Sequence, residues 1–192
     1  NHDEIVSYDT VFSSLPLPEL IKIIPNAPDK VREAVSRLKT NSIFVVNIGV
    51  NRAKITDKNW IYYLEKEFSF IRVSFPFNQS DNAAPLGTSS ISAEIAYGHD
   101  NSLPTSKDKM ADHVINELIE ANVIEASDEI IYLDSIDIQY GYVIFDKERK
   151  PAIQIVHDYL KSIDIVPFGR YGMWAYLWSD EAILSGKKVA EK

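Results

Sequence analysis

The chain has 192 residues, enough for one domain or one domain with a small appendage, and its 45% hydrophobic and 25% charged residues are ordinary globular values. A net charge of −8, with no basic run of five or more, argues against a nucleic-acid footprint or an anionic membrane surface as partner. There is no cysteine, which removes disulfides, thiolate metal sites and a cysteine nucleophile; the histidines (His2, His99, His113, His157) have no metal-ligand spacing, so no metal is expected.

The N-terminal stretch NHDEIVSYDTVFSSLP is acidic and strand-like, unlike a signal peptide, and it begins without Met, as a cloned fragment does. No apolar run approaches the ~18 residues of a membrane span, so a cytoplasmic protein is expected. Tyr8 to Ser14 is a short strand candidate, closed by Leu15-Pro16-Leu17-Pro18. Pro18 suits the first turn of a helix bearing Leu20, Ile23 and Ile24. After Pro28, Val31, Ala34, Val35 and Leu38 recur at i, i+3, i+4, i+7, the apolar stripe of a second helix.

Ile43 to Val50 is apolar on both faces and β-branched, which predicts a central strand. Trp60–Tyr63 and Phe70–Phe75 follow as strands, then a polar loop from Asn78 to Thr88 and a strand from Ser90 to Tyr97. Thr105-x-x-Asp108 reads as a capping box for the longest helix, whose stripe is Met110, Val114, Ile115, Leu118 and Ile119. Ile130 to Phe145 reads as one long strand or two, with Ile136, Ile138, Tyr140, Tyr142 and Ile144 on one face. Pro151 starts another helix, Ile163 to Phe168 is a last strand, and Ser179 is read as the cap of a terminal helix. Strands in groups, with helices between the groups, predict an α+β fold with a largely antiparallel sheet and covering helices.

Nucleophile-elbow, P-loop and dinucleotide-binding signatures are absent, and seven glycines leave little room for a phosphate-cradling loop. Three segments carry more polar and aromatic detail than a core requires. In Trp60–Arg72, two strands would bring Tyr62 near Arg72: a hydroxyl and a stacking face beside a guanidinium fork suited to phosphate or carboxylate. An exposed arginine on an edge strand beside a half-buried tyrosine is the plainer reading. In Tyr140-Gly141-Tyr142 the tyrosines fit ordinary packing with hydroxyls at the rim. In Phe168–Gly186 an apolar strand meets Gly169-Arg170, then an aromatic loop, then a helix with small residues on one side (Ala182, Ser185, Gly186, Ala190). That helix N-terminus could face an anion, or could simply be capped by Asp180 and Glu181.

Taken together, these segments resemble a flavoprotein superfamily containing the monoamine oxidases, protoporphyrinogen oxidase and the UDP-galactopyranose mutases. Asp9-Thr10-Val11-Phe12-Ser13-Ser14-Leu15-Pro16 is similar to the segment D-x-V-[IV]-x-[ST]-x-P, where such chains leave the flavin domain. Asp180-Glu181-Ala182-Ile183-Leu184-Ser185-Gly186-Lys187-Lys188-Val189-Ala190 is similar to the returning helix D-x-A-I-x-S-G-x-x-A-A. Trp60, Tyr62, Glu65, Phe70 and Arg72 match the mutase pattern W-[LI]-Y-F-P-E, spacer, F-Y-R; Leu64 departs from its proline and Val143 from a common Tyr-Pro.

The resemblance implies FAD as cofactor, with Gly169, Arg170, Trp174, Asp180 and Ala182 beside it. It places Tyr62, Arg72, Tyr142 and Tyr176 at the substrate, a nucleotide sugar in a mutase or an amine in an oxidase. Residues 1–14 would be a remnant of the flavin domain, 15–165 the substrate domain, and 166–192 the returning flavin-domain strand and helix. The Gly-rich half that cradles the dinucleotide is missing from this sequence, so the chain alone is expected to be inactive and to partner that half, or another copy through exposed apolar surface. No residue offers itself as a general base, and catalytic residues are left unassigned. The competing reading is a stand-alone, non-catalytic α+β binding module.

Overall fold

The computed structural model describes residues 6–98 and 101–191; His2, His99 and the outermost residues of both terminal segments lie outside them. In chain order the elements are β1 (Val11–Ser13), α1 (Leu17–Ile23), α2 (Asp29–Ser36), β2 (Ser42–Val50), β3 (Trp60–Tyr62), β4 (Arg72–Ser74), β5 (Ser89–Tyr97), α3 (Met110–Glu120), β6 (Ile130–Ile138), α4 (Arg149–Ser162), β7 (Ile165–Pro167), α5 (Gly169–Gly172) and α6 (Ser179–Ala190). The class is α+β with a largely antiparallel sheet, as the grouping of strands predicts. Two units result, Asn41–Gly141 and Asn1–Thr40 with Tyr142–Lys192.

The first unit is a five-stranded sheet in the order β3-β4-β5-β2-β6, every neighbouring pair antiparallel. Strand β2 lies between β5 and β6, which explains its near-continuous apolar sequence. Phe44, Val46, Ile48 and Val50 turn to the buried face with Val73, Ile91, Ala93 and Ile95. Helix α3 contributes Met110, Val114 and Leu118 to the same core, the centre of its 3.6-residue stripe, and the flanking Ile115 and Ile119 are partly buried. Each such aliphatic side chain contributes about 1.5–3 kcal/mol on burial.

Glu117 turns inward from the same helix and is 6% exposed. Its carboxylate accepts the backbone N–H of Ser69 at 2.8 Å and the Ser69 hydroxyl at 2.6 Å, and His113 Nε2 lies 3.2 Å away. This pins the 63–70 segment, with its packed rings Tyr63, Phe68 and Phe70, onto α3. Glu117→Ala leaves both Ser69 donors without their acceptor. We expect a loss of about 1–3 kcal/mol in urea unfolding, and Glu117→Gln to recover part of it.

Two local expectations in this unit differ from the structure. Residues 107–109 form a 3₁₀ turn capped by Ser106 without a side-chain bond, so α3 starts at Met110 and Thr105 lies too far upstream to cap it. Strand β6 ends at Ile138, because Gly141 N–H donates to the Asn41 carbonyl at 2.8 Å and folds the backbone out of the ladder. A Cβ at Gly141 would stand 2.6 Å from Ile43 Cγ1, so only glycine admits this approach. Tyr140 therefore lies beyond the end of β6, and Tyr142 belongs to the second unit.

In the second unit β1 and β7 run parallel, Phe12 opposite Val166. Helix α1 buries Leu17, Leu20 and Ile21, with Pro18 in its first turn. Helices α2 and α4 pack together, burying Val31 and Ala34 from one and Ala152, Val156 and Leu160 from the other. Helix α4 begins at Arg149, two residues before Pro151, because Asp146 Oδ1 accepts the N–H groups of Glu148 and Arg149 at 3.1 and 3.0 Å. Ser179 is the first helical residue of α6 and not its cap. The cap position is Trp178, whose N–H donates to the Glu181 carboxylate at 2.8 Å.

Candidate functional site

The residues singled out from sequence form two patches, one on each unit. On the sheet unit, Tyr62 and Arg72 are cross-strand partners on β3 and β4, and the same row continues to Glu94 on β5, Val45 on β2 and Ile136 on β6. The Arg72 guanidinium carbon lies 5.9 Å from the centre of the Tyr62 ring. Its Nε donates to Glu94 Oε1 at 3.1 Å, and its Nη2 forms a second, shorter bond to the same oxygen. The next row is Trp60, Ser74, Ser92, Asn47 and Asp134. These rows lie on the face opposite the α3 core, so the pleat turns every one of their side chains away from it.

On the second unit the patch is built by the turn after β7. Gly169 has φ +72, which favours glycine, and its N–H donates to Ser185 Oγ on α6 at 2.8 Å. The tight turn leaves no room at Gly172, where a Cβ would meet the Ser13 carbonyl oxygen at 2.9 Å. Arg170 then lies beside two tyrosines, its guanidinium carbon 5.9 Å from the Tyr142 ring centre and 5.1 Å from that of Tyr176. The two rings are near-parallel, 5.9 Å apart, and Trp178 meets Tyr176 edge-on at 6.4 Å. Arg170 Nε donates to the Leu177 carbonyl at 2.8 Å, and Nη2 reaches the same oxygen. Among the described residues Arg170 faces no carboxylate within salt-bridge distance. Asp180 and Ala182 stand in the first turn of α6, Asp180 exposed.

Trp174, by contrast, is 1% exposed, with φ +49. Its carbonyl accepts from Arg149 Nε at 2.9 Å, and Arg149 stacks over the Phe145 ring at 4.0 Å. About two turns further along α4, His157 Nε2 lies 3.2 Å from the Gly172 carbonyl of the same loop. The ring must donate there, since a carbonyl only accepts. Arg149, His157, Glu94 and Trp178 were missed in the sequence reading. Each acts through a partner 3 to 25 residues away, and only the 3-residue spacing of Trp178 and Glu181 is visible as a local pattern.

Burial holds the His157 imidazole below its ordinary value, against smaller opposing effects of the Gly172 carbonyl and Asp158. With the folded pKa depressed, the unfolded chain binds the proton more readily. Stability is therefore full above the ordinary histidine value of about 6.5 and declines as pH falls through and below it. Urea unfolding at pH 7.5 and pH 5.5 should show this decline, and His157→Gln should flatten it.

No family model matches the sequence. Among solved structures, the chain superposes on a reduced UDP-galactopyranose mutase with a TM-score of 0.83 and 23% identity, over 90% of this chain and 38% of that one. A protein provisionally assigned as protoporphyrinogen oxidase, from Exiguobacterium sp. 255-15, gives 0.72 at 15% identity, over 95% of this chain and 40% of the other. A fatty acid isomerase from P. acnes, which produces CLA, gives 0.66 at 11%, over 95% and 41%. The chain spans about two-fifths of the length of these proteins, and at such identities what is shared is the fold. The chain therefore has the fold that this mutase, oxidase and isomerase group shares over part of its length, and the resemblance read from its motifs holds at that level.

Proposed function

We propose that the chain is the substrate-binding and flavin-closing part of an FAD-dependent enzyme, with a UDP-galactopyranose mutase-like reaction favoured over an amine oxidase-like one. The observation that carries this is the Tyr142–Arg170–Tyr176 stack, formed by residues the mutase resemblance assigns to flavin and diphosphate, in a chain with the mutase fold. Tyr142 and Tyr176 would supply hydroxyls and stacking surface, and Arg170 a fixed positive charge at the cofactor. Gly169, Asp180 and Ala182 would let the backbone turn and the α6 N-terminus come close to it. Trp174, being buried, would serve by setting the loop and not by contact. When bound, reduced flavin supplies the nucleophilic nitrogen for a sugar, and oxidised flavin the hydride acceptor for an amine.

The parallel pairing of β1 with β7 supports assigning residues 1–14 and 166–192 to one flavin domain, with 15–165 as the substrate domain. Exposed Tyr8, Phe12 and Ile183 suit contact with the FAD-binding half of the same protein, or with a second copy. Among the described residues no helix is long and apolar enough to cross a membrane, and a cytoplasmic enzyme is the setting we favour. The test is an absorbance spectrum of the full-length protein beside this chain, before and after UDP-galactose under reducing conditions. Flavin bands in the longer protein alone, with galactofuranose formed, would support the mutase reading. Flavin without turnover would move the reaction to an oxidase, and a colourless protein unable to take up FAD would overturn the assignment.

A further inference from the structure

A pocket of about 550 Å³ opens on the sheet unit, within the range that small-molecule sites occupy. Its floor is Asn47 and Gly49 of β2 and Ser90 of β5, with Tyr132 of β6 beside Gly49. All four stand on the face turned away from α3. Gly49 is four residues along β2 from Val45, so the pocket reaches about 14 Å beyond the row of Tyr62 and Arg72. A Cβ at Gly49 would stand 2.9 Å from Tyr132 Cβ; glycine keeps the floor bare and the tyrosine close.

The segment between β4 and β5 supplies a wall of Pro76, Ala83, Ala84 and Pro85. It is tied at both ends. Thr88 gives its N–H and its hydroxyl to the Pro85 carbonyl at 3.1 and 2.7 Å, in a turn that Gly87 completes at φ +83. Asn78 Nδ2 donates to the Thr56 and Lys58 carbonyls at 2.9 and 2.7 Å. The wall is therefore built in advance, which lowers the cost of binding.

Two polar side chains on the floor have no hydrogen-bond partner among the described residues. One is the Asn47 amide; the other is Ser90, whose Oγ is buried. The register sets Ser90 opposite Gly49, one diagonal step from Asn47. A buried hydroxyl without a partner costs stability, and a serine reaches a new one by rotation about χ1 alone. No carboxylate, ammonium, guanidinium or imidazole lines the pocket, in a chain with 25% charged residues. A charged ligand would lose its hydration there with no counter-ion. An asparagine amide both gives and accepts hydrogen bonds, and another amide matches it with two parallel ones. Tyrosine, proline and alanine surfaces suit the flat apolar face of a ring.

We propose that this pocket binds an uncharged aromatic carboxamide or ring amide. The amide edge meets Asn47 and Ser90, and the ring lies against Tyr132, Pro76 and Pro85. The pocket lies wholly within the sheet unit, and the proposal stands apart from the flavin reading.

The test is an NMR titration of the 192-residue chain with benzamide and benzoate, two molecules of one shape that differ in charge. Benzamide should shift the backbone signals of residues 47–49, 83–91 and 131–132 and saturate in the low-millimolar range, as about nine heavy atoms allow. Benzoate should bind at least about tenfold more weakly, having no counter-ion. Asn47→Leu should weaken benzamide by about five- to tenfold. Ser90→Ala should weaken it by about threefold and yet raise the urea midpoint, because the unpaired hydroxyl is gone; a damaged fold cannot produce that rise. The proposal is overturned if benzamide does not bind, if benzoate binds equally well, if the shifts centre on other residues, or if Asn47→Leu has no effect. None of these results bears on flavin binding by the longer protein, which the absorbance spectrum tests separately.

Discussion

Trp174→Ala is expected to destabilise the chain by about 3–5 kcal/mol, the range for deleting a large aromatic side chain from a packed core. Trp174 is among the largest fully buried side chains, and nothing of smaller size at that position can fill the space it occupies. The residue also fixes the backbone, since its positive φ turns the chain so that its carbonyl meets Arg149. Two effects are therefore superposed, a cavity and a loosened clamp, and they can be separated. Arg149→Met keeps the indole and removes the charge-assisted hydrogen bonds together with the guanidinium contact to Phe145, which should cost about 1.5–3 kcal/mol. Because the two residues share one contact, the double variant should lose less than the sum of the singles. Urea unfolding reads all three, and the Trp174→Ala midpoint should fall on the order of 1–2 M. A midpoint within error of wild type would mean that this loop is not part of the cooperative fold.

The parts of this architecture that could be read from sequence are those governed by local period. Strand β2 announces itself because a strand flanked on both sides must be apolar at nearly every position, and α3 because its stripe repeats over three turns. Helix boundaries were less legible. Thr105, Pro151 and Ser179 each carry the right chemistry for a helix start, yet Ser106, Glu148 and Trp178 occupy the cap positions. Several residues near a helix start can satisfy the same free N–H groups, and tertiary contacts choose among them. The pairing of Arg72 with Glu94 was illegible for a different reason. It depends on the register of β4 against β5 across 22 residues of intervening chain, and a slip by one residue would send Glu94 to the core face. The same holds for Arg149 and Trp174, joined across 25 residues by the packing of α4. Motifs single out the residues a ligand would need; only the fold identifies the partners that hold them.

Arg170→Met should lower the flavin affinity of the full-length protein by about 10- to 100-fold, the equivalent of one charge-assisted hydrogen bond. The guanidinium does two things at once in this structure. It supplies a cation beside Tyr142 and Tyr176, and it braces the 173–178 loop through the Leu177 carbonyl. Arg170→Lys keeps the charge but cannot reproduce the planar fork that converges Nε and Nη2 on one oxygen while lying against two rings. It should therefore recover only a minor part of the loss. Quenching of flavin fluorescence on titration into the apo-protein measures the affinity, and near-UV circular dichroism of the tyrosines reports whether the stack survives. If the dichroism changes and the affinity does not, Arg170 is a brace for the loop and the cofactor lies elsewhere. If the affinity falls while the stack persists, the positive charge itself is what the cofactor meets. Only that second result agrees with a guanidinium that faces no carboxylate among the described residues of an acidic chain, because such a charge is easier to account for where a negative ligand completes it.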